Sequence, residues 1–262
     1  MHSSTPHHGQ TEQMDFGLTA FEMMAIFSTM VIAYIIFGIT GFGSALIASP
    51  VLALFIPVAK IVPLLAIVDM FAAITNVARH SRHADIAELK RLVPLMIIGS
   101  LIGATVLLRT RPDILLLALG MFVILYAIYS LSRRKPQGQF KPIAAIPFGL
   151  IGGIFSALFG SGGFIYAIYL SGRIVSKDNL RITQTTLIGL STLTRVILFA
   201  LAGVYMDLSI LWLVLLLAPG MLVGLAIANK ISLGISREQL IRIINILLLI
   251  SGTVLLVRYF GY

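Results

Sequence analysis

Apolar residues run along this chain in eight segments, at 21–58, 61–79, 92–108, 114–131, 143–172, 182–202, 208–229 and 240–258. A helix needs about 20 mostly apolar residues to cross a bilayer, and most of the segments have that length. Two exceed it: 21–58 has 38 residues and 143–172 has 30. Both carry a glycine break, Gly41-Phe42-Gly43-Ser44 in the first and Gly160-Ser161-Gly162-Gly163 in the second, 119 residues later. Each long segment is therefore one kinked helix or two shorter helices joined at the break.

The basic residues choose between these. If each long segment enters and returns to the side it came from, one set of loops collects Arg79 to Arg91, Arg133 to Lys141, Arg173 to Arg181 and Lys230 to Arg242. The other set holds Lys60, Arg109, Arg111 and Arg258. That division is 14 basic residues against 4, the bias expected of cytoplasmic against external loops. A single crossing would send the basic loops of the second half to the other side. The returning hairpin is the expectation, with both chain ends outside the cell. Tyr205, Trp212, Tyr259, Phe260 and Tyr262 fall near the predicted outer boundary, where an aromatic belt is expected.

Composition places the chain in its solvent. It is 58% hydrophobic and 11% charged, against about 25% charged in soluble domains, which points to an integral membrane protein. The net charge of +9 is accounted for by the loop bias, so no nucleic-acid partner is expected. There is no cysteine, hence no disulfide and no thiolate ligand. Residues 1–20 read as a polar tail without Lys or Arg, not a signal peptide. His2, His7 and His8 within it suggest at most weak metal binding.

The halves read as copies. Gly41 and Gly43 match Gly160 and Gly162, and Asn76 matches Arg195, all at an offset of 119. Asp85 matches Asp207 at 122, and Gly99 and Gly103 match Gly220 and Gly224 at 121. With one hairpin and three spans per half, the second copy must be upside down. The expected fold is an all-α integral membrane protein of two inverted repeats, each a broken-helix hairpin plus three transmembrane helices. The first repeat covers 21–131, a basic cytoplasmic linker 132–142, and the second repeat 143–262. Secondary transporters use this plan, with substrate at midplane helix breaks.

The glycine turn, Ser49-Pro50, Asn76, a basic stretch ending in His83-Ala84-Asp85-Ile86, the second glycine turn and Tyr205-Met206-Asp207-Leu208 together resemble the sulfite exporter TauE/SafE family. The resemblance covers nearly the whole chain after the tail. It implies two four-segment repeats and movement of sulfur-containing anions such as sulfite and organosulfonates. Two departures stand out: the first break has fewer glycines than is usual there, and Tyr169 replaces the proline expected opposite Pro50.

The residues suggest how an anion is held. Helices starting inside the membrane present free N–H groups and a positive dipole end, an anion site without formal charge. The expected substrate-binding set is Gly41, Phe42, Gly43, Ser44, Asn76, Gly160, Ser161, Gly162, Gly163, Tyr166 and Arg195. Ser44 is also placed to cap its helix. An intramembrane Arg is costly and usually functional; the alternative for Arg195 is snorkelling to the outer surface. Asp69 lies at similar depth on the equivalent helix and is the candidate coupling residue, either paired with Arg195 under control of substrate or proton, or part of a static ion pair. Tyr166 and Tyr169 reach a ligand or merely pack, and Phe42 gates or packs. Gly99 with Gly103, Gly149 with Gly153, and Gly220 with Gly224 have small-xxx-small spacing, joining helices within one chain or between the subunits of a homodimer. His80 and His83 belong to a basic orientation loop.

No phosphate-binding or zinc-protease motif is present, and the predicted spans hold no His or Cys for intramembrane catalysis. The sequence thus predicts no enzyme, cofactor or metal. It predicts a secondary transporter, an exporter of the cell (inner) membrane, carrying a small anion across the lipid bilayer by alternating access. The rival on the same scaffold is an anion channel.

Overall fold

The computed structural model describes residues 20–40, 43–80, 84–132, 140–230 and 237–260. Among these residues there are ten α-helices: α1 Ala20–Thr40, α2 Ser44–Leu52, α3 Val58–His80, α4 Ile86–Arg109, α5 Pro112–Ser132, α6 Ala145–Phe159, α7 Gly163–Ser171, α8 Lys177–Leu201, α9 Leu208–Lys230 and α10 Arg237–Phe260. Both long apolar segments are split at their glycines, into α1 and α2 and into α6 and α7. Among the described residues, six stretches are long and apolar enough to cross a bilayer: Glu22–Ile39, Ile86–Arg109, Pro112–Ser132, Pro142–Phe159, Asn179–Leu201 and Leu208–Ala228.

The distribution of side chains is that of an integral membrane protein. Large apolar residues such as Ile98, Leu101, Met121, Leu125, Leu215 and Leu222 are exposed on the outer faces, a belt that lipid covers. Asp69, Glu88, Ser156, Thr192 and Arg195 are buried.

Lipid supplies no hydrophobic force between helices, so association relies on close packing and interhelical hydrogen bonds. Three glycine seams provide that closeness. α4 lies on α6 through Gly99, Gly103, Gly149 and Gly153; a Cβ on Gly103 would stand 2.5 Å from the Ile154 carbonyl oxygen. α1 lies on α9 through Gly220 and Gly224, where a Cβ on Gly224 would stand 2.6 Å from the Val31 carbonyl oxygen. Gly120 and Gly252 join α5 to α10, reinforced by Asn245 Nδ2 donating to Ser130 Oγ at 2.9 Å. The small-residue pairs read from the sequence therefore pack helices within one chain.

Polar contacts gather the loops at two ends. At one, Lys60 pairs with Asp207 at 2.9 Å and donates to Ser209 Oγ at 3.0 Å. There Tyr205 OH donates to the Pro63 carbonyl at 3.1 Å, and Arg258 donates to the carbonyls of Ala53 and Leu54, where the chain leaves α2. At the other end, the Asp85 N–H donates to Thr183 Oγ1 at 2.8 Å. The Phe140 N–H donates to the Gly172 carbonyl at 3.1 Å, so the chain departs for α6 and returns from α7 at one place.

Gly224→Ala forces a methyl into the Val31 backbone. Overpacking of this kind costs about 1–3 kcal/mol, and the purified variant should melt at a lower temperature than the parent. An unchanged melting temperature would mean the α1–α9 seam is looser than described.

Candidate functional site

The centre of the molecule begins with two glycines in the left-handed region, Gly43 at φ 94° and Gly160 at φ 69°. A side chain is strained there. At these points the chain reverses, and α2 and α7 start well inside the bundle. The first N–H groups of a helix have no partner within it, so both starts offer donors. The two breaks adjoin: a Cβ on Gly160 would lie 2.5 Å from Ala45 Cβ and 3.1 Å from Arg195 Nη1.

Between them lies an ion pair contributed by both halves of the chain. Arg195 on α8 is 2% exposed and Asp69 on α3 is 4% exposed, so neither reaches solvent; Arg195 turns inward rather than snorkelling. Arg195 Nη2 stands 3.5 Å from Asp69 Oδ2 and donates to Thr192 Oγ1 at 3.1 Å. Asp69 Oδ1 accepts from Tyr34 OH at 2.8 Å and Ser44 Oγ at 2.7 Å. Arg195 Nε and Nη1 are buried with no hydrogen-bond partner among the described residues, an arrangement that ordinarily calls for an explanation. Beside them is a cavity of about 20 Å³ walled by Gly43, Ser44 and Asp69 from one half and by Gly160, Ser161, Gly163, Thr192 and Arg195 from the other, with apolar side chains, Phe37 and Phe164 among them, filling in the wall. A water needs roughly 10–15 Å³ by this measure, so there is room for one water-sized group.

The residues singled out in the sequence divide accordingly. Gly43, Ser44, Asp69, Gly160, Ser161, Gly163 and Arg195 converge on the cavity. Gly162 faces α6, where a Cβ would come 2.8 Å from Ser156 Cβ. Tyr166 is buried against Gly152 and off the cavity wall, with no partner for its hydroxyl among the described residues. Gly41 and Phe42 lie outside the described residues, as does the side chain of Asn76. Ser44 does not cap its helix, because its hydroxyl is drawn to the Asp69 carboxylate. Thr185, Thr186 and Thr194 donate to carbonyls of their own helix at 2.8, 2.9 and 2.9 Å.

Two residues were not foreseen. Tyr34 is a polar ring in the apolar run of α1, a visible signal, but only the fold reveals its partner. Glu88 resembles an ordinary acidic residue in the first turn of a helix. It is buried, and Tyr169 OH donates to its Oε2 at 2.7 Å.

Asp69→Ala leaves Arg195 buried without its countercharge. Breaking a buried pair from one side costs about 3–5 kcal/mol, so the variant should melt well below the parent. Asp69→Ala/Arg195→Ala should regain part of that loss; equal or greater loss in the double variant would show that the pair does not act as one.

No curated protein and no solved structure matches the chain. A family model described as Sulfite exporter TauE/SafE matches residues 26–255. With its buried polar centre and lipid-facing exterior, the chain belongs to the sulfite exporter TauE/SafE family, a family of membrane transporters.

Proposed function

We propose that the protein is a secondary transporter exporting a small sulfur-containing anion, sulfite or an organosulfonate, by alternating access. The observation that carries this reading is Arg195, whose buried Nε and Nη1 have no partner among the described residues, beside a cavity between two helix starts. An oxyanion takes such donors readily, and the N–H groups opening α2 and α7 add to them without further charge. Asp69 holds the remaining edge of Arg195 and is its coupling partner, yielding the guanidinium when the anion arrives.

The inverted repeat is supported by how helices pair. Matching α1–α5 onto α6–α10 converts the α1–α9 contact into α6–α4, and α3–α9 into α8–α4; α3–α8 and α5–α10 map onto themselves. All of these contacts occur. Asp85 and Asp207, at equivalent positions, each accept from the N–H two residues on, at 3.0 Å. The halves would rock about this pseudo-twofold. A cavity with room for one water cannot admit a sulfur oxyanion, so the hairpin starts must separate to load it. A closed centre of this kind fits alternating access rather than an open channel.

We further place the Glu88 end in the cytoplasm and the Lys60–Asp207 end outside, in the cell (inner) membrane. The cysteine-free background makes this testable. Val175 is 95% exposed beside the first end and Met206 is 86% exposed at the second. In intact cells an impermeant maleimide should label Met206→Cys, and should label Val175→Cys only after permeabilisation; the reverse pattern would invert the assignment.

Transport itself is tested by sulfite flux into liposomes. Arg195→Lys keeps the charge and loses the fork. At about 1.5–3 kcal/mol for a hydrogen bond to a charged group, the rate should fall roughly 10- to 100-fold. Losses in Asp69→Ala and Arg195→Ala should be non-additive in the double variant. Parent protein that moves neither sulfite nor an organosulfonate such as taurine would end this reading.

A further inference from the structure

A second cluster of charge lies at the Glu88 end, apart from the central cavity. The Glu88 side chain is 4% exposed, whereas Arg173 and Arg91 are 23% and 41% exposed. The carboxylate is thus turned inward and the guanidinium groups face outward. Two cations meet one anion there. The neighbouring Asp85 carboxylate is occupied by the N–H groups of Ala87 and Glu88, at 3.0 and 3.1 Å. Lys90 and Lys141 are exposed at the same end, so its accessible surface is cationic.

The pairing is also uneven. Glu88 Oε1 accepts from Arg91 Nη1 at 2.6 Å and from both Arg173 Nε and Nη2, at 2.9 and 2.8 Å. Among the described residues, Oε2 accepts from Tyr169 OH alone. A guanidinium edge is best matched by two oxygens, one on each N–H; here both N–H groups crowd onto one. The edge is better suited to an oxyanion presenting two oxygens side by side. Arg173 Nη1 is held by the Phe140 carbonyl at 3.0 Å, which keeps that edge in place.

We propose that Arg173, Arg91 and Tyr169 form a second oxyanion site, filled in this closed molecule by the Glu88 carboxylate as a tethered competitor that a small sulfur oxyanion displaces. The ligand class rests on the transporter reading above. α7 joins the two sites. It starts at Gly163 on the central cavity and ends next to Gly172 and Arg173, a run of nine residues, or about 13 Å at 1.5 Å per residue. Loss of the Glu88 contact removes a tie between α4 and the far end of the helix whose start walls the centre, while the Phe140 contacts to Gly172 and Arg173 stay. An anion arriving at Arg173 therefore exchanges the tie between α7 and α4 for one between α7 and the anion.

Stoichiometry of sulfite binding to the purified full-length protein, by titration calorimetry, tests this. The parent should bind one equivalent tightly. Glu88→Gln removes the competing charge and should bind two, the second at least about tenfold tighter than any second event in the parent, as expected if Glu88 occupies the site about nine-tenths of the time. Glu88→Gln/Arg173→Gln should return to one. Glu88→Gln/Arg195→Ala should keep one, which separates this site from the central one. If the parent binds none while Glu88→Gln binds one, the central reading fails and this one stands. If Glu88→Gln matches the parent in stoichiometry and affinity, or neither binds sulfite, the second site is overturned. Should Glu88→Gln not fold, Glu88→Asp withdraws the carboxylate by one methylene and gives the same comparison: a strengthened second event supports the site, and an unchanged isotherm overturns it.

Discussion

Burial of Arg195 is the constraint around which the molecule is arranged. A guanidinium in the middle of a bilayer protein is costly, and its cost is offset only if polar groups converge on it from several directions. Asp69 supplies the countercharge from α3, Thr192 an acceptor from its own helix α8, and Tyr34 and Ser44 steady Asp69 from α1 and α2. For Ser44 to reach that point, the chain must reverse inside the bundle. That requires Gly43 in a conformation only glycine adopts easily. Gly160 serves the same purpose for α7 and sits against Arg195 itself. The breaks and the charge thus depend on each other. Neither the reversal nor the buried Arg is economical alone.

Around that centre the molecule has two unlike ends. The Lys60–Asp207 pair is exposed, with side chains 42% and 45% accessible. Hydrogen bonds from Ser209 first and then Lys60 hold the Asp207 carboxyl at about 2. A lowered acid contributes stability above its unfolded value and loses it as pH falls through the folded one. This contact is therefore fully ionised across the neutral range and indifferent to ordinary pH change, and its exposure keeps its contribution small. The Glu88 cluster is different in kind. Its carboxylate is dry, its donors come from α4, α7 and the turn after α7, and it ties the second hairpin to the helix against which α6 packs.

Much of this was readable in one dimension, and the residues explain why. The spans follow from apolar runs, since a bilayer sets their length. The breaks follow from glycines inside those runs. The unusual value of Arg195 and Asp69 follows from the cost of charge in an apolar segment, which depends on no partner. What escaped depended on partners far off in sequence. Ser44 looked like a helix cap because capping is local, but Asp69 is 25 residues away. Tyr169 stays open in the sequence between ligand contact and packing, because its partner Glu88 is 81 residues distant.

The sequence by itself determined the membrane as solvent, the number and order of apolar segments, the two hairpin breaks and the charges that had to be compensated. These depend on composition, spacing and local backbone freedom. The tertiary structure decided which glycine faces met, that the seams lie within one chain, that Gly160 abuts Arg195, and that the cavity between the breaks has room for only one water. Those outcomes rest on contacts between residues far apart in the chain, made at distances of a few ångströms, and no local pattern encodes them.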